Sequence, residues 1–179
     1  WYVQSGNFSF NSLKGEGMSK EEVIKITLEI IKEKKLEKTS VGEIVKRLDI
    51  SPGNLYYYFR SKNEIYKEVM DYSLNKIIKS LSEVKDNNDS RSYLFDLSKD
   101  LIKFLEENEE ILNFLISMKG SCCLEEESSL EKVLSIFKRV LLNLKKEFGN
   151  ETQILLKARM FFGSVFEVLY KSKLLENRI

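Results

Sequence analysis

The stretch from Thr39 to Lys62 reads Thr-Ser-Val-Gly-Glu-Ile-Val-Lys-Arg-Leu-Asp-Ile-Ser-Pro-Gly-Asn-Leu-Tyr-Tyr-Tyr-Phe-Arg-Ser-Lys, and it decides the fold. Apolar residues at helical spacing on either side of Asp49 predict two short helices joined by a tight turn. Asp49 suits this turn because aspartate tolerates left-handed backbone geometry. Ser51 is a good cap for the second helix, and Pro52 fits its first position, where no backbone N–H is needed. The residues expected to close a small core between the helices are Ile44, Leu48, Ile50, Leu55 and Phe59.

The second predicted helix leaves several side chains outside its apolar stripe. Gly53 lets the backbone approach another surface, and Asn54 can read a base edge or hold a phosphate oxygen. Tyr57 and Tyr58 offer hydroxyls to phosphates and flat faces to sugars or thymine methyls. This outward surface predicts DNA binding. The alternatives are that Tyr56 is a core residue, that the other two tyrosines are plain surface, or that the unit is a scaffold that binds no DNA.

Helix starts are marked elsewhere by capping boxes, in which Ser or Thr is followed three residues later by Glu or Gln. Each side chain of such a pair satisfies a free backbone N–H of the other residue. The pairs are Ser19/Glu22, Ser40/Glu43, Ser61/Glu64, Ser128/Glu131 and, more loosely, Asn150/Gln153. Together with the apolar spacing, they predict helices at about 19–36, 41–47, 52–59, 62–84, 91–107, 109–119, 129–148 and 151–176. No segment alternates as a strand, so we expect an all-α fold.

The run from Ser51 to Lys62 resembles the recognition helix and following turn of the TetR family of repressors. The family pattern is Ser-x-Gly-x-hydrophobic-Tyr-x-His/Tyr-Phe-x-Ser-Lys, and the preceding Gly-Glu-Ile-Val is similar to the multidrug-responsive members. The resemblance covers about 19–70 well, and the rest only by helix count and length. It implies an N-terminal three-helix helix-turn-helix DNA-binding domain, followed by a C-terminal helical domain that binds a ligand and dimerises.

The resemblance also implies a set of DNA contacts. Lys62 is expected to reach a phosphate from the start of the fourth helix, and Lys46 and Arg60 are weaker candidates for phosphate contacts. The contact set is Thr39, Ser40, Ser51, Gly53, Asn54, Tyr56, Tyr57, Tyr58 and Lys62.

The segment departs from the family pattern at four positions. Asp49 replaces the usual turn glycine and Leu48 the usual alanine, which is expected to shift the turn geometry slightly. Tyr58 stands where His is common. Pro52 takes a position often held by a polar or basic residue, which removes one phosphate contact.

The resemblance divides the chain into a DNA-binding domain at 18–62 and an effector-binding and dimerisation domain at 63–179. Residues 1–17 are rich in Ser, Asn and Gly, with scattered aromatics and no helical period. We interpret Met18 as the natural start and residues 1–17 as an added leader, with a native N-terminal arm as the alternative.

Effector domains of this family diverge widely, so the ligand site is predicted from side-chain type. Aromatic and Met side chains suit a pocket for a bulky hydrophobic ligand. The alternative is that most of them are ordinary core residues. The candidates are Tyr93, Phe95, Phe104, Phe114, Met118 and Phe137.

The last two predicted helices are richer in apolar residues than a one-sided surface helix requires. Gly163 and Ser164 lie amid aromatics and let another helix approach closely. We expect them, with Phe162 and Phe166, at the interface of a homodimer. That interface is a four-helix bundle of two helices per subunit, as the resemblance also implies. A core helix of a monomer is the alternative.

Charge and composition narrow the function classes. The net charge of +1 hides an asymmetry, because residues 18–62 hold ten Lys/Arg against seven Asp/Glu and the residues after 62 hold eighteen against twenty. The N-terminal third is therefore the end suited to phosphates. The sequence contains no histidine, which excludes His-ligated metals and His acid–base catalysis. No catalytic dyad or phosphate loop appears, so we expect neither an enzyme nor a cofactor. A helical protein–protein adaptor is the other alternative.

The adjacent Cys122 and Cys123 provide no disulfide framework, which indicates a reducing cytoplasm. A thiol sensor is the alternative for this pair. No apolar run approaches the roughly 18–20 residues that span a bilayer, so no membrane association is expected. Together with the family resemblance, these features predict a cytoplasmic, homodimeric repressor that is expected to bind an inverted-repeat operator and to be released by a small hydrophobic ligand.

Overall fold

A computed structural model describes residues 18–84 and 89–118, together with separate helical positions between 142 and 171. Its elements are α1 (Lys20–Lys34), α2 (Val41–Leu48), α3 (Pro52–Tyr58), α4 (Lys62–Ser82), α5 (Ser90–Glu107) and α6 (Glu109–Ser117), with a 3₁₀ turn at Leu36–Lys38. The predicted all-α fold is confirmed, and the starts of these six helices agree with the prediction to within one residue. The predicted helices at 129–148 and 151–176 are described only at those separate positions. Residues 1–17 lie outside the described part, as do Ser128, Glu131 and Asn150 of the two later capping boxes.

Serine hydroxyls start the first four helices. Ser19, Ser40, Ser51 and Ser61 each accept a hydrogen bond at 3.2 Å from the backbone N–H of the residue three positions later. Three of these serines belong to the predicted capping boxes, and Ser51 precedes Pro52 at the first position of α3, as predicted. A cap of this kind stabilises a helix by about 1 kcal/mol. The helix starts are therefore set by residues next to them in sequence.

The turn between α2 and α3 has the predicted left-handed geometry at Asp49, where φ is 53° and ψ is 45°. The N–H of Ile50 donates to the carbonyl of Val45 at 3.1 Å, which closes the C-terminus of α2. This turn directs α3 across α2 and brings apolar residues of both helices together. Of the predicted small core, Ile44, Leu55 and Phe59 are buried, and Leu48 and Ile50 are partly buried.

Helix α1 connects the helix-turn-helix unit to the rest of the described structure. It packs against α2, α4 and α6. Its buried residues span more than one face: Val23, Ile24, Ile26, Thr27, Leu28, Ile30 and Ile31. An ion pair of 2.8 Å between Lys32 Nζ on α1 and Glu109 Oε2 adds to the contact with α6. The helix-turn-helix unit is therefore joined to the helices that follow it in two ways: covalently through α4, and by the packing of α1 against α4 and α6.

Candidate nucleic-acid interface

Helix α3 presents most of its length outward. Pro52, Gly53 and Asn54 are exposed, as is the capping Ser51. Tyr57 is 83% exposed and Tyr56 is 51% exposed. Tyr56 is therefore not a core residue, and that alternative is wrong. The helix is anchored by the buried Leu55 and, just beyond its end, by Phe59. The side chains that the sequence placed outside the apolar stripe thus form one continuous surface.

Two neighbouring tyrosine rings of α3 contact each other. The rings of Tyr57 and Tyr58 meet edge to face, with centroids 5.1 Å apart and an interplanar angle of 87°. Tyr58 is partly buried against the core, unlike its neighbour. Such a ring pair contributes about 0.5–1.5 kcal/mol beyond burial. Tyr58 therefore supports one side of the more exposed Tyr57 ring.

Thr39 and Ser40, at the entry to α2, have different placements. Ser40 is exposed, and its hydroxyl caps α2. Thr39 is 1% exposed, and its hydroxyl donates to the carbonyl of Lys35 at 2.9 Å. The Thr39 hydroxyl is therefore consumed inside the turn, where the residue positions α2. The contact of Thr39 with DNA stays a prediction.

Tyr66, which sequence reasoning missed, holds the same turn from α4. Its hydroxyl donates toward the carbonyls of Leu36 at 3.4 Å and Thr39 at 3.5 Å. The turn begins at Lys35, whose φ of 69° and ψ of 161° lie in a region that glycine almost alone adopts. Hydrogen bonds from the side chains of Thr39 and Tyr66 thus fix the turn that leads into α2. The backbone conformation of Lys35 in this turn is energetically unfavourable for any residue other than glycine.

Two cations of the helix-turn-helix unit are committed to ion pairs. The guanidinium of Arg47 donates to both carboxylate oxygens of Glu33, at 2.8 and 2.5 Å. Lys34 Nζ lies 2.6 Å from Glu43 Oε1. Hydrogen bonds from these cations lower the pKa of Glu33 and of Glu43. Both carboxylates stay ionised, so these pairs hold α1 and α2 together.

Three other cations frame α3. Lys46 on α2 and Arg60 after α3 are exposed, and Lys62 begins α4. Lys62 Nζ lies 5.1 Å from the centroid of the Tyr66 ring, within the range of a cation–π contact. Among the residues described, none of these three cations has an ion-pair partner. The surface of α3 is therefore uncharged, with positive charge at its rim.

The predicted ligand-site residues do not share one environment. Tyr93, Phe114 and Met118 are buried, and Phe104 is partly buried. Phe95 is 65% exposed, with Lys99 Nζ 5.7 Å from its ring centroid. Phe95 is therefore not enclosed with the other candidates, because it lies off the α5 stripe of buried residues, which recur at every fourth position. Its place in a ligand site stays a prediction. Phe137 lies outside the described residues, as do Cys122 and Cys123.

The predicted dimer residues are described only in part. Gly163 and Ser164 are helical and exposed, and no described heavy atom lies within 4 Å of a Cβ built on Gly163. Phe162 and Phe166 lie outside the described residues. Val165 and Leu169 are buried on the opposite face of the same segment. The exposed face also carries apolar side chains that sequence reasoning missed, at 59%, 64% and 62% exposure: Leu156, Met160 and Val168. Their helical spacing from Gly163 and Ser164 was the sequence signal that could have identified them.

In the part of the chain that the structure describes, no group of three or more Cys, Asp or Glu side chains is arranged to hold a metal ion. No helix in the same ranges is long and apolar enough to cross a membrane. A three-helix unit whose third helix is mostly exposed, packed through α1 against α4 and α6, has the arrangement of a helix-turn-helix DNA-binding unit.

Comparison with known proteins identifies the family. Residues 23–69 match the family described as bacterial regulatory proteins, tetR family. The HTH-type transcriptional regulator YvdT of Bacillus subtilis is 32% identical over 65 residues, which cover 36% of this chain and 32% of YvdT. The biofilm operon icaADBC HTH-type negative transcriptional regulator IcaR of Staphylococcus epidermidis is 29% identical over 91 residues, which cover 51% of this chain and 48% of IcaR. The helix-turn-helix region of the chain, residues 23–69, is therefore a TetR-family DNA-binding region.

The match to solved structures extends beyond the helix-turn-helix unit. A transcriptional regulator from Rhodococcus sp. Rha1 superposes with a TM-score of 0.73 at 21% identity, covering 88% of this chain and 87% of that one. At this identity the likeness concerns the fold alone. The curated relatives are matched over about half of their length or less, from 30% to 52%.

Proposed function

We propose that this chain is a cytoplasmic transcriptional repressor that binds an inverted-repeat operator as a homodimer and leaves it when a small hydrophobic ligand binds. The observation that carries the proposal is the outward surface of α3, an uncharged helix on which Tyr57 is 83% exposed. A large exposed aromatic surface is costly in water unless it meets a partner. The cations at its rim suit the phosphates on either side of a major groove.

The homodimer is supported by the exposed face of the C-terminal helical segment. Leu156, Met160 and Val168 are each more than half exposed, and Gly163 lies among them with open space above it. A second copy of the same face covers these side chains, and the glycine lets the two helices approach closely. Two-fold symmetry then sets the two α3 helices about 34–36 Å apart or slightly more, one turn of DNA. An operator read by such a dimer is an inverted repeat.

Ligand release is supported by the buried aromatics of α5 and α6 and by their contact with α1. Tyr93, Phe114 and Met118 supply large, polarisable surface in the interior. A ligand inserted among them displaces α6, which is tied to α1 through the pair of Lys32 and Glu109. A coupling of about 1–3 kcal/mol between the two sites changes operator affinity roughly 5- to 150-fold.

The repressor assignment draws on IcaR, which is a negative regulator by its name. The enzyme alternative has no support, because the relatives are regulators and no site for chemistry emerges from the described residues. The adaptor alternative predicts no affinity for DNA, so a binding assay separates it from the proposal.

The test is fluorescence anisotropy with the full chain and labelled duplexes that tile the DNA upstream of its own gene. We expect one duplex to bind, with a logarithmic salt slope of about −5 for six phosphate contacts in a dimer. Tyr57→Ala is expected to weaken binding at least about 10-fold without changing the melting temperature, since an exposed interface tyrosine contributes mainly to binding. Phe95→Ala is the matched control, because it removes an exposed ring elsewhere. Equal binding by both variants contradicts the proposal.

A further inference from the structure

We propose that α3 reads A·T base pairs, through thymine methyls and adenine edges, and does not read guanine. This inference rests on the proposed operator binding and adds the class of base sequence that the operator contains. It follows from which side chains α3 presents and where the cations around it lie.

Helix α3 carries neither an acidic nor a basic side chain along Pro52–Tyr58. The commonest specific contact to guanine is a bidentate bond from Arg or Lys to O6 and N7, and carboxylates read the N4 amine of cytosine. Neither kind of group is present on the helix that faces the groove. Direct readout of a G·C pair therefore lacks its usual donors and acceptors here.

The cations around α3 lie on neighbouring elements and not on α3 itself. Arg47, which has the forked geometry that suits guanine, is held by both carboxylate oxygens of Glu33 on α1. Lys46 belongs to α2, and Arg60 and Lys62 follow the end of α3. These three lie at the rim of the surface, where phosphates flank a groove.

The groups that α3 does present match an A·T pair. The amide of Asn54 is exposed and suits the N6 and N7 atoms of adenine. The ring of Tyr57 is the most exposed large apolar surface among the described residues, and Tyr58 supports it edge to face. At Gly53 the nearest neighbour of an added Cβ is Ser51 Oγ at 3.8 Å, so this position is open toward a base. A thymine methyl is the apolar group that the major groove offers to such a surface.

The expected effect follows from the size of one methyl. Burial of a methyl-sized group changes affinity about fourfold, so one methyl in each of two half-sites gives about 15-fold. The loss of a bidentate contact between Asn54 and adenine is larger, roughly 5- to 150-fold. Both effects are well above the error of a binding titration.

The experiment selects duplexes from a random-sequence pool with the purified full chain and then replaces each half-site thymine with uracil, which lacks the methyl. We expect A·T pairs at the contacted positions and about 15-fold weaker binding of the uracil duplex. Uracil placed outside the half-sites is the matched control. Tyr57→Ala is expected to abolish the difference between thymine and uracil, whereas Tyr57→Phe, which keeps the ring, is expected to retain it.

Other outcomes overturn the inference. Selected half-sites with G·C at the contacted positions, equal affinity for uracil and thymine, or loss of base preference in Tyr57→Phe each contradict it. If binding then remains salt-dependent and dimeric, the proposed function stands without the inference. If the chain retains no duplex even at low salt, the proposed function fails and the inference fails with it.

Discussion

The helix-turn-helix unit and the helical region behind it use their residues in different ways. In the unit, single side chains have single tasks: Ser51 caps α3, Asp49 turns the chain and Tyr57 faces outward. In the region behind it, α5 buries Leu97 and Leu101 for their volume. In the helix-turn-helix unit, each role requires a particular residue type at a particular position, whereas several apolar residue types fill a buried position of α5 equally well. The role of each residue in the unit can therefore be predicted from the sequence. In the region behind it, the sequence predicts only that a position is apolar and buried.

The strongest way to break this comparison is to disrupt the proposed dimer face. Met160→Glu places a charge on an exposed apolar face that the account covers with a second copy. We expect a monomer in sedimentation equilibrium and a loss of operator affinity of more than about 100-fold, because two linked contacts become one.

The matched control for this substitution is Phe95→Glu, which charges another exposed apolar side chain, on α5. It is expected to leave the dimer intact. A Met160→Glu variant that stays dimeric, or a monomer that binds the operator as well as the unmodified chain, shows that the interface lies elsewhere.

The next largest effect is on the free energy of unfolding, and it distinguishes a buried side chain from an exposed one. Phe114→Ala empties a fully buried position on α6, and we expect the free energy of unfolding to fall by about 3–5 kcal/mol. Tyr57→Ala removes an exposed ring and is expected to change it by less than about 0.5 kcal/mol. Chemical denaturation of both variants gives the two numbers. Similar losses in both would erase the distinction between the regions.

The outcome of the sequence predictions follows the same division. The serine caps, the Asp49 turn and the exposed Tyr57 were predictable because each depends on neighbours in sequence. The burial of the Thr39 side chain was not predictable, because a motif fixes a position in the chain and not whether its side chain turns inward. The exposure of Phe95 was missed because aromatic character was given more weight than its position off the buried stripe of α5.

Other features had no signal in the sequence. The ion pair between Lys32 and Glu109 joins residues 77 positions apart (109 − 32) and depends on how α6 returns to α1. The hydrogen bonds from Tyr66 to the turn before α2 depend in the same way on how α4 packs. Nothing in the residue type of Lys35 indicated a positive φ, because lysine has no preference for it. Tertiary contacts of this kind require coordinates.

A smaller effect on stability is expected from a substitution at Lys35. Lys35→Gly removes side-chain strain at φ 69° and ψ 161°, and we expect the free energy of unfolding to rise by about 1 kcal/mol. Asp49→Gly is the matched comparison and is expected to gain less, because aspartate tolerates its left-handed geometry. Thermal and chemical denaturation measure both. A decrease for Lys35→Gly would mean that the side chain contributes more than its backbone costs.

The smallest expected effect is the acid dependence of the pair between Glu33 and Arg47. Because the pair lowers the pKa of Glu33 from its usual 4.5, its contribution is present above that pH and is lost as the pH falls through the lowered value. Both side chains are partly exposed, so the contribution is less than about 1 kcal/mol. Arg47→Gln is expected to flatten the fall in stability below about pH 4.5. An unchanged slope would show that the pair contributes nothing.

The central claim is that two copies of α3 read one face of the same duplex. Hydroxyl-radical footprinting of the operator bound to the full chain tests it directly. The account predicts two symmetric protected patches whose centres lie about 10–10.5 base pairs apart, or a multiple of that spacing, and their loss with Tyr57→Ala. A single patch, or two patches on opposite faces of the duplex, would contradict it.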